Sequence, residues 1–312
     1  MQRREFLQTS AFLGVVSLLA VLSACELLSN RAKPQPTTQQ SSPAISNPLT
    51  PPAGNINVAF VISDGTVMID LAGPWEVFQD VWIPSRGKSM NEQMPFRLYT
   101  VAEKKTPITA SGGMKIQPDY TFANAPVPNI IVIPAQNNSS DAMLQWIKTA
   151  SKHTDLTMSV CTGAFILAKA GLLSGKPATT HHAEYGTLAM QFPDMDVKRG
   201  VRFIDDGKLA TSGGLSSGID LALHVVERYF GRKVATETAF NMEYQGQGWL
   251  DPASNAIYAK RVASAEQHPR CPVCTMEVDP ATAPKSVYKA KTYYFCSGAH
   301  KSVFDAAPEK WQ

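Results

Sequence analysis

Five cysteines in 312 residues fall into three chemical contexts. Cys161 stands in Ser159-Val160-Cys161-Thr162-Gly163, directly after an apolar run and directly before a helical one. A sharp strand-to-helix turn of this kind lifts one side chain above a sheet. It also places that side chain against the free N–H groups and positive dipole end of the next helix, which favour the nucleophilic thiolate. Gly163 would let backbone approach closely there. The alternative for Cys161 is a buried structural cysteine. Near the C-terminus, Cys271-Pro-Val-Cys274 is followed by Cys296-Ser-Gly-Ala-His300. Cys-x2-Cys with Cys-x3-His is metal-ligand spacing, and three sulfurs with one imidazole suit Zn²⁺ or Cu⁺. So short a segment has little core and would use the metal as a staple. The alternative is a Cys271–Cys274 or Cys274–Cys296 disulfide in an oxidising compartment. Met276 is a further soft donor, read here as a packing residue.

Cys25 belongs to the third context. Arg3-Arg4 precede Phe6-Leu7, and an apolar run extends from Ala11 to Ala24. The run is shorter than the roughly 20 residues of a membrane-spanning helix and suits a signal peptide. The twin arginines point to the Tat route. Leu22-Ser23-Ala24-Cys25 resembles a bacterial lipobox, which implies cleavage of residues 1–24 and lipidation of Cys25. An ordinary inner-membrane anchor with an incidental cysteine is the other reading. The resemblance implies an exported lipoprotein facing the periplasm, and Glu26 favours the outer membrane over the inner. Residues 25–54 then form a linker, dense in Pro, Gln, Ser and Thr from Lys33 to Pro52 and too polar to build a core.

The elements that must position Cys161 come from the stretch 55–248. Apolar runs at 57–62, 129–134 and 156–160 and an alternating run at 96–102 read as strands, the first type being that of a buried parallel sheet. Helical stretches lie between them, at 73–81, 140–151 and 163–170. This alternation predicts an α/β sandwich with a mostly parallel, flavodoxin-like sheet. Asp205-Asp206-Gly207 is a hairpin turn between two short strands. A helix at 217–230 stops at Gly231, and another is expected over 234–244. Residues 249–268 read as a linker to a metal-binding module at 269–312.

Several motifs in order resemble the ThiJ/PfpI family of the class I glutamine amidotransferase-like superfamily. They are Asp70-Leu-Ala-Gly-Pro-Trp-Glu-Val-Phe78, Ile133-Pro134, Ser159-Val-Cys-Thr-Gly-Ala164, Ala170-Gly-Leu-Leu-Ser-Gly175, Ala178-Thr-Thr-His181 and Thr211-Ser-Gly-Gly214 with Gly218-Ile-Asp220. They cover about residues 55–245 and are most similar to the branch holding isonitrile hydratase and the ligand domains of AraC-type regulators. The resemblance implies that Cys161 is the reactive residue and that Asp70 faces it. A carboxyl beside a thiolate would hold its proton and serve as hydrogen-bond donor or general acid. Asp70 as a helix N-cap is the competing role. Thr162 stands where many hydrolytic relatives have His, so no adjacent Cys-His dyad exists; its backbone N–H is the expected oxyanion donor. His181 occupies the family's His position near the site, whereas His153, His182 and His224 read as surface or packed residues. Ala135-Gln136 replace the usual Gly-Gly, whose N–H would approach the substrate oxygen. The C-terminal segment resembles a YHS domain, in which Cys271 stands where Asp is commoner and His300 where a third Cys is usual.

The implied activity is cysteine-dependent hydration or hydrolysis of a C–N bond in a small molecule, by an isonitrile hydratase-like lyase or a cysteine-dependent hydrolase. The competing reading is a non-enzymatic lipoprotein that binds a small molecule, an oxidant, or copper or zinc. No cofactor is expected in the α/β domain. Relatives imply a homodimer. A net charge of +3 with scattered basic residues argues against nucleic acid as a partner. The expected export signal, and the lack of a recognisable helix-turn-helix after the α/β domain, argue in addition against transcriptional regulation.

Overall fold

The computed structural model describes residues 47–259, 269–273 and 276–311. The expected signal sequence, Cys25 and Cys274 lie outside the described residues, as do most of the expected first linker and residues 260–268 of the second. No helix among the described residues is long and apolar enough to cross a membrane.

One sheet organises the larger body. Its strands are β1 (Ile56–Val61), β2 (Phe96–Ala102), β3 (Tyr120–Thr121), β4 (Ile130–Ile133), β5 (Leu156–Ser159), β6 (Phe203–Asp206) and β7 (Leu209–Ser212). The spatial order is β6-β7-β5-β4-β1-β2-β3. All pairings are parallel except the β6–β7 hairpin, which closes at Asp206 opposite Leu209 with Gly207 at φ 78°. The α/β sandwich with a mostly parallel sheet therefore stands as read. Successive residues of a strand face opposite sides of a sheet, and both sides here are buried. Ile56, Val58, Phe60, Ile130 and Val132 face one core, with Leu71, Val77, Leu221 and Val225. Ala59, Val61, Ile131 and Ile133 face the other, with Met143, Ile147, Ala164 and Leu167. The first core is roofed by α1 (Met68–Gln79) and α5 (Ser217–Asn241), the second by α2 (Asp141–Ala150), α3 (Gly163–Lys169) and α4 (Tyr185–Gln191). From β1 the chain runs outward to β2 and β3, then returns to the other side of β1 at β4. The carboxyl ends of β1 and β4 thus mark the switch point where open α/β sheets take ligands.

Two helices differ from expectation. α1 begins at Met68, five residues before the expected start at Gly73, and carries Pro74 inside it. Proline ordinarily marks the first helical position, but here Pro74 packs against Gly218 of α5. A Cβ on Gly218 would stand 3.3 Å from the Pro74 Cγ and 2.9 Å from Val160. This close crossing of α1 and α5 extends α1 through its proline. α5 runs to Asn241 but leaves helical geometry at Gly231 (φ 86°, ψ 165°), which divides it where the sequence places a stop.

The chain is also secured at both ends of this body. Arg228 donates from Nε to the Asn47 carbonyl at 2.7 Å and receives the Leu49 N–H at 2.8 Å. Beyond Gly248, Trp249 is buried and Arg232 stacks over its ring. Asn255 accepts from Arg202, and residues 252–258 form a short 3₁₀ helix.

The C-terminal module holds a hairpin, β8 (Lys285–Tyr288) and β9 (Lys291–Tyr294), and one helix, α6 (Gly298–Ala306). Lys289 and Ala290 both have positive φ, 48° and 60°, as a two-residue turn that matches strand twist requires. Ser297 caps α6 by accepting the His300 N–H at 3.2 Å. Cys271, Val273, Phe295, Phe304 and Trp311 form its small core.

Candidate functional site

Cys161 sits on a strained turn. Its φ is +56°, a region that non-glycine residues avoid. Three bonds hold the turn: Val160 N–H to Ile133 O at 3.0 Å, Cys161 N–H to Gly213 O at 3.0 Å, and the Thr180 hydroxyl to Cys161 O at 2.9 Å. Gly163 is obligatory here, since a Cβ would fall 2.1 Å from Ile133 O. The expected elbow and its glycine are therefore present, at the carboxyl end of β5.

Asp70 is fully buried and faces this turn. It is the third residue of α1, whose N-cap is Val67, so the N-cap role is overturned. Its Oδ2 instead accepts the Ala135 N–H at 3.2 Å across the sheet end. That N–H is the group expected to approach a substrate oxygen; the structure uses it to hold Asp70. Cys161 is the side chain that faces the same carboxyl, and Oδ1 has no hydrogen bond of ordinary geometry. Burial pushes the Asp70 carboxyl up to about 7 from the usual 3.8, against the opposing pull of the Ala135 N–H and the Cys161 side chain. Burial and the Asp70 charge push the Cys161 thiol up to about 12 from 9.0. The N–H groups of Thr162 and Leu215 and the Thr162 hydroxyl favour the thiolate but do not outweigh those two effects. The helix end favours the thiolate, as the sequence reading has it, but alone does not hold one at rest. The two groups titrate as a coupled pair in which the thiol holds its proton at neutral pH.

Thr162, expected as a backbone oxyanion donor, directs its N–H at the Cys161 sulfur. The second donor, Leu215, was not legible. Its φ of +52° turns its N–H toward Cys161 from a distant loop; the only trace in sequence is Gly213-Gly214 before a helix start. His181 supports that loop rather than forming a dyad. A Cβ on Gly214 would meet the His181 ring at 2.2 Å, and His181 Nδ1 accepts the Ala183 N–H at 3.3 Å. Burial, reinforced by His182, holds the His181 imidazole below its usual pKa despite Glu184. His182 stacks on Tyr258 with ring centres 4.6 Å apart, and His224 binds Asp205 at 2.9 Å. His153 is exposed.

In the C-terminal module Cys271, Cys296 and His300 converge, their ligand atoms all within 4.8 Å of one another. His300 Nδ1 lies 3.5 Å from the Cys271 sulfur and 3.1 Å from the Cys296 sulfur. Zinc bonds of about 2.3 Å to sulfur and about 2.0 Å to nitrogen give tetrahedral S···N edges of about 3.5 Å, so the donor set fits a soft or borderline metal. Met276 is 60% exposed rather than packed.

A parallel α/β sheet with a strained cysteine elbow and a buried acid defines a class of protein. The DJ-1/PfpI family matches residues 56–228, more than half of the chain, and the chain belongs to that family. A YHS domain matches residues 271–312. An isonitrile hydratase from Pseudomonas putida is 30% identical over 194 residues, which cover 61% of this chain and 78% of that protein. The HTH-type transcriptional regulator GbdR of Pseudomonas aeruginosa is 24% identical over 183 residues, and the match spans 48% of its length. A ThiJ/PfpI family protein from Pseudomonas syringae superposes with a TM-score of 0.55 at 25% identity, over 70% of this chain and 84% of that one. DJ-1beta of Drosophila melanogaster shares the fold, with a TM-score of 0.51 at 16% identity and coverage of 62% of this chain and 100% of that one.

Proposed function

We propose that this protein performs cysteine-dependent hydration of a C–N bond in a small molecule, with isonitriles as the leading substrate class. The burial of the Cys161 thiol against the Asp70 carboxyl carries the reading, and the similarity to an isonitrile hydratase supports it. The Cys161 sulfur adds to the terminal carbon of R–N≡C. Asp70 gives its proton to that carbon and takes the proton of the thiol, which leaves a thioimidate, R–N=CH–S–Cys161. Water then adds to the same carbon. One of its protons goes to nitrogen and one to the departing sulfur, and R–NH–CHO is released. A neutral acid with a pKa near the working pH suits such a relay. The N–H groups of Thr162 and Leu215 stabilise the sulfur while it carries charge.

The protein is further proposed to be exported through the twin-arginine signal, cleaved before Cys25 and held by lipid at the periplasmic face of the outer membrane. Its α/β domain acts there as a homodimer, and the C-terminal module holds zinc or copper through Cys271, Cys296, His300 and Cys274. A second reading, small-molecule, redox or metal binding and sensing without turnover, is favoured by the Cys/Cys/His cluster. The test is formamide production from a panel of alkyl and aryl isonitriles. The hydratase reading expects turnover that Cys161→Ala abolishes and Asp70→Asn strongly reduces; turnover that is absent, or unchanged in Cys161→Ala, sinks it.

A further inference from the structure

Leu215, whose N–H is the second donor to Cys161, stands at φ +52°. A non-glycine residue keeps such a conformation only where its surroundings hold it. Here Arg202 reaches the loop at both ends. Arg202 precedes β6 and Gly213 follows β7, so the hairpin sets the two residues side by side. Arg202 O accepts the Gly213 N–H at 2.8 Å, and Gly213 O accepts the Cys161 N–H at 3.0 Å. At the other end, Arg202 Nη2 donates to Ser216 Oγ at 3.2 Å. The guanidinium is itself fixed. Nε donates to Asp220 Oδ2 at 2.7 Å, Nη2 donates to the same oxygen, and Nη1 donates to Asn255 Oδ1 at 3.3 Å. Asp220 is fully buried, and the Tyr244 hydroxyl donates to its other oxygen at 3.0 Å.

Ser216 is used in an unusual way. It is the N-cap of α5, where a serine ordinarily has extended backbone and accepts an N–H from the first turn of its own helix. Ser216 makes no such bond and has φ −62° and ψ −18°. Its hydroxyl serves Arg202 instead. The helix forgoes its cap, and the loop gains a tie at the residue next to Leu215.

We propose that Arg202 is a positioning residue for Cys161: through Gly213 and Ser216 it grips both ends of the loop and aims the Leu215 N–H at the sulfur. This inference rests on the proposed chemistry only in that Cys161 reacts as a thiolate; it does not require an isonitrile. Removing one N–H donor from a thiolate raises its pKa by about one unit. The thiolate that remains is more nucleophilic, so alkylation slows about three- to fourfold rather than tenfold.

The experiment follows iodoacetamide labelling of the Cys161 peptide in the full-length protein by mass spectrometry, at several pH values around pH 9. Ser216 is exposed, so Ser216→Ala removes the tie without disturbing the core or the charge. It is expected to slow labelling about threefold or more at every pH, with circular dichroism unchanged. Ser216→Thr keeps the hydroxyl and is expected to restore the parent rate. Arg202→Lys presents its donors at a single atom, cannot serve Asp220, Asn255 and Ser216 together, and is expected to slow labelling at least as much as Ser216→Ala. A purely structural role predicts the opposite sign, because loosening the loop uncovers a buried thiol and speeds labelling. Labelling that is unchanged or faster in folded Ser216→Ala, or slowed equally in Ser216→Thr, overturns the proposal. Absence of isonitrile turnover with the labelling pattern intact would refute the hydratase reading alone. Turnover that depends on Cys161, with labelling indifferent to Ser216, would refute this inference alone.

Discussion

Replacing Asp70 by Asn tests the electrostatics of the site through stability. The carboxyl has no exposed surface, and burial raises it from 3.8 to about 7. A group whose folded pKa exceeds its unfolded value binds more protons in the native state. Its contribution is fully present below the unfolded value and is lost as pH rises through the folded one. At about 1.36 kcal/mol per unit, roughly three units correspond to about 4 kcal/mol lost by pH 8. Between pH 5 and pH 8 the loss is about 2–3 kcal/mol. Asn retains an oxygen for the Ala135 N–H and never ionises. The unfolding free energy of Asp70→Asn minus that of the wild type should therefore rise by about 2–3 kcal/mol from pH 5 to pH 8. Urea titrations of both proteins at the two pH values, followed by tryptophan fluorescence, provide the comparison. Parallel pH profiles, or a difference that shrinks as pH rises, would refute the claim that this carboxyl is held protonated by burial.

Three further outcomes follow from the same geometry. The Cys161 thiol should alkylate slowly at pH 7, with a midpoint well above the ordinary 9.0, and Asp70→Asn should lower that midpoint because the Asp70 charge is one of the two causes that raise it; iodoacetamide rates against pH read both. Gly163→Ala places a Cβ 2.1 Å from Ile133 O, so thermal melting should show a loss above about 2 kcal/mol, whereas a neutral effect would mean the turn is looser than described. Stoichiometric metal in the purified protein should be lost in Cys296→Ser and His300→Ala, and chelation should lower the melting temperature of the module but not that of the α/β body.

Much of the scaffold was legible because it is local. The runs at 57–62 and 129–134 are apolar without alternation, as strands buried on both faces must be, and Gly207 and Gly231 mark breaks where positive φ is needed. The elbow was legible because Cys161 and Gly163 are adjacent to the strand that supplies them. What was not legible depends on contacts between distant segments. The helix expected from Gly73 begins at Met68, and Pro74 inside it is seen against Gly218 of α5 only in the fold. Leu215 supplies an N–H to Cys161 only after the sheet brings its loop alongside. The Ala135 N–H belongs to Asp70 rather than to a substrate because of a bond across 65 positions of sequence. The resting protonation of Cys161 was not legible for the same reason: the neighbouring helix end is local, whereas burial and the Asp70 charge come from the tertiary fold.

The central claim is that Cys161 forms a covalent bond to the carbon of its substrate. Intact-mass spectrometry of the protein quenched during exposure to an isonitrile tests this most directly, because addition without a leaving group increases the mass by that of the whole isonitrile. The increment is expected on the peptide that contains Cys161, should disappear in Cys161→Ala, and should decay as formamide accumulates. Formamide production at an undiminished rate by Cys161→Ala, with no adduct on the wild-type protein, would contradict it.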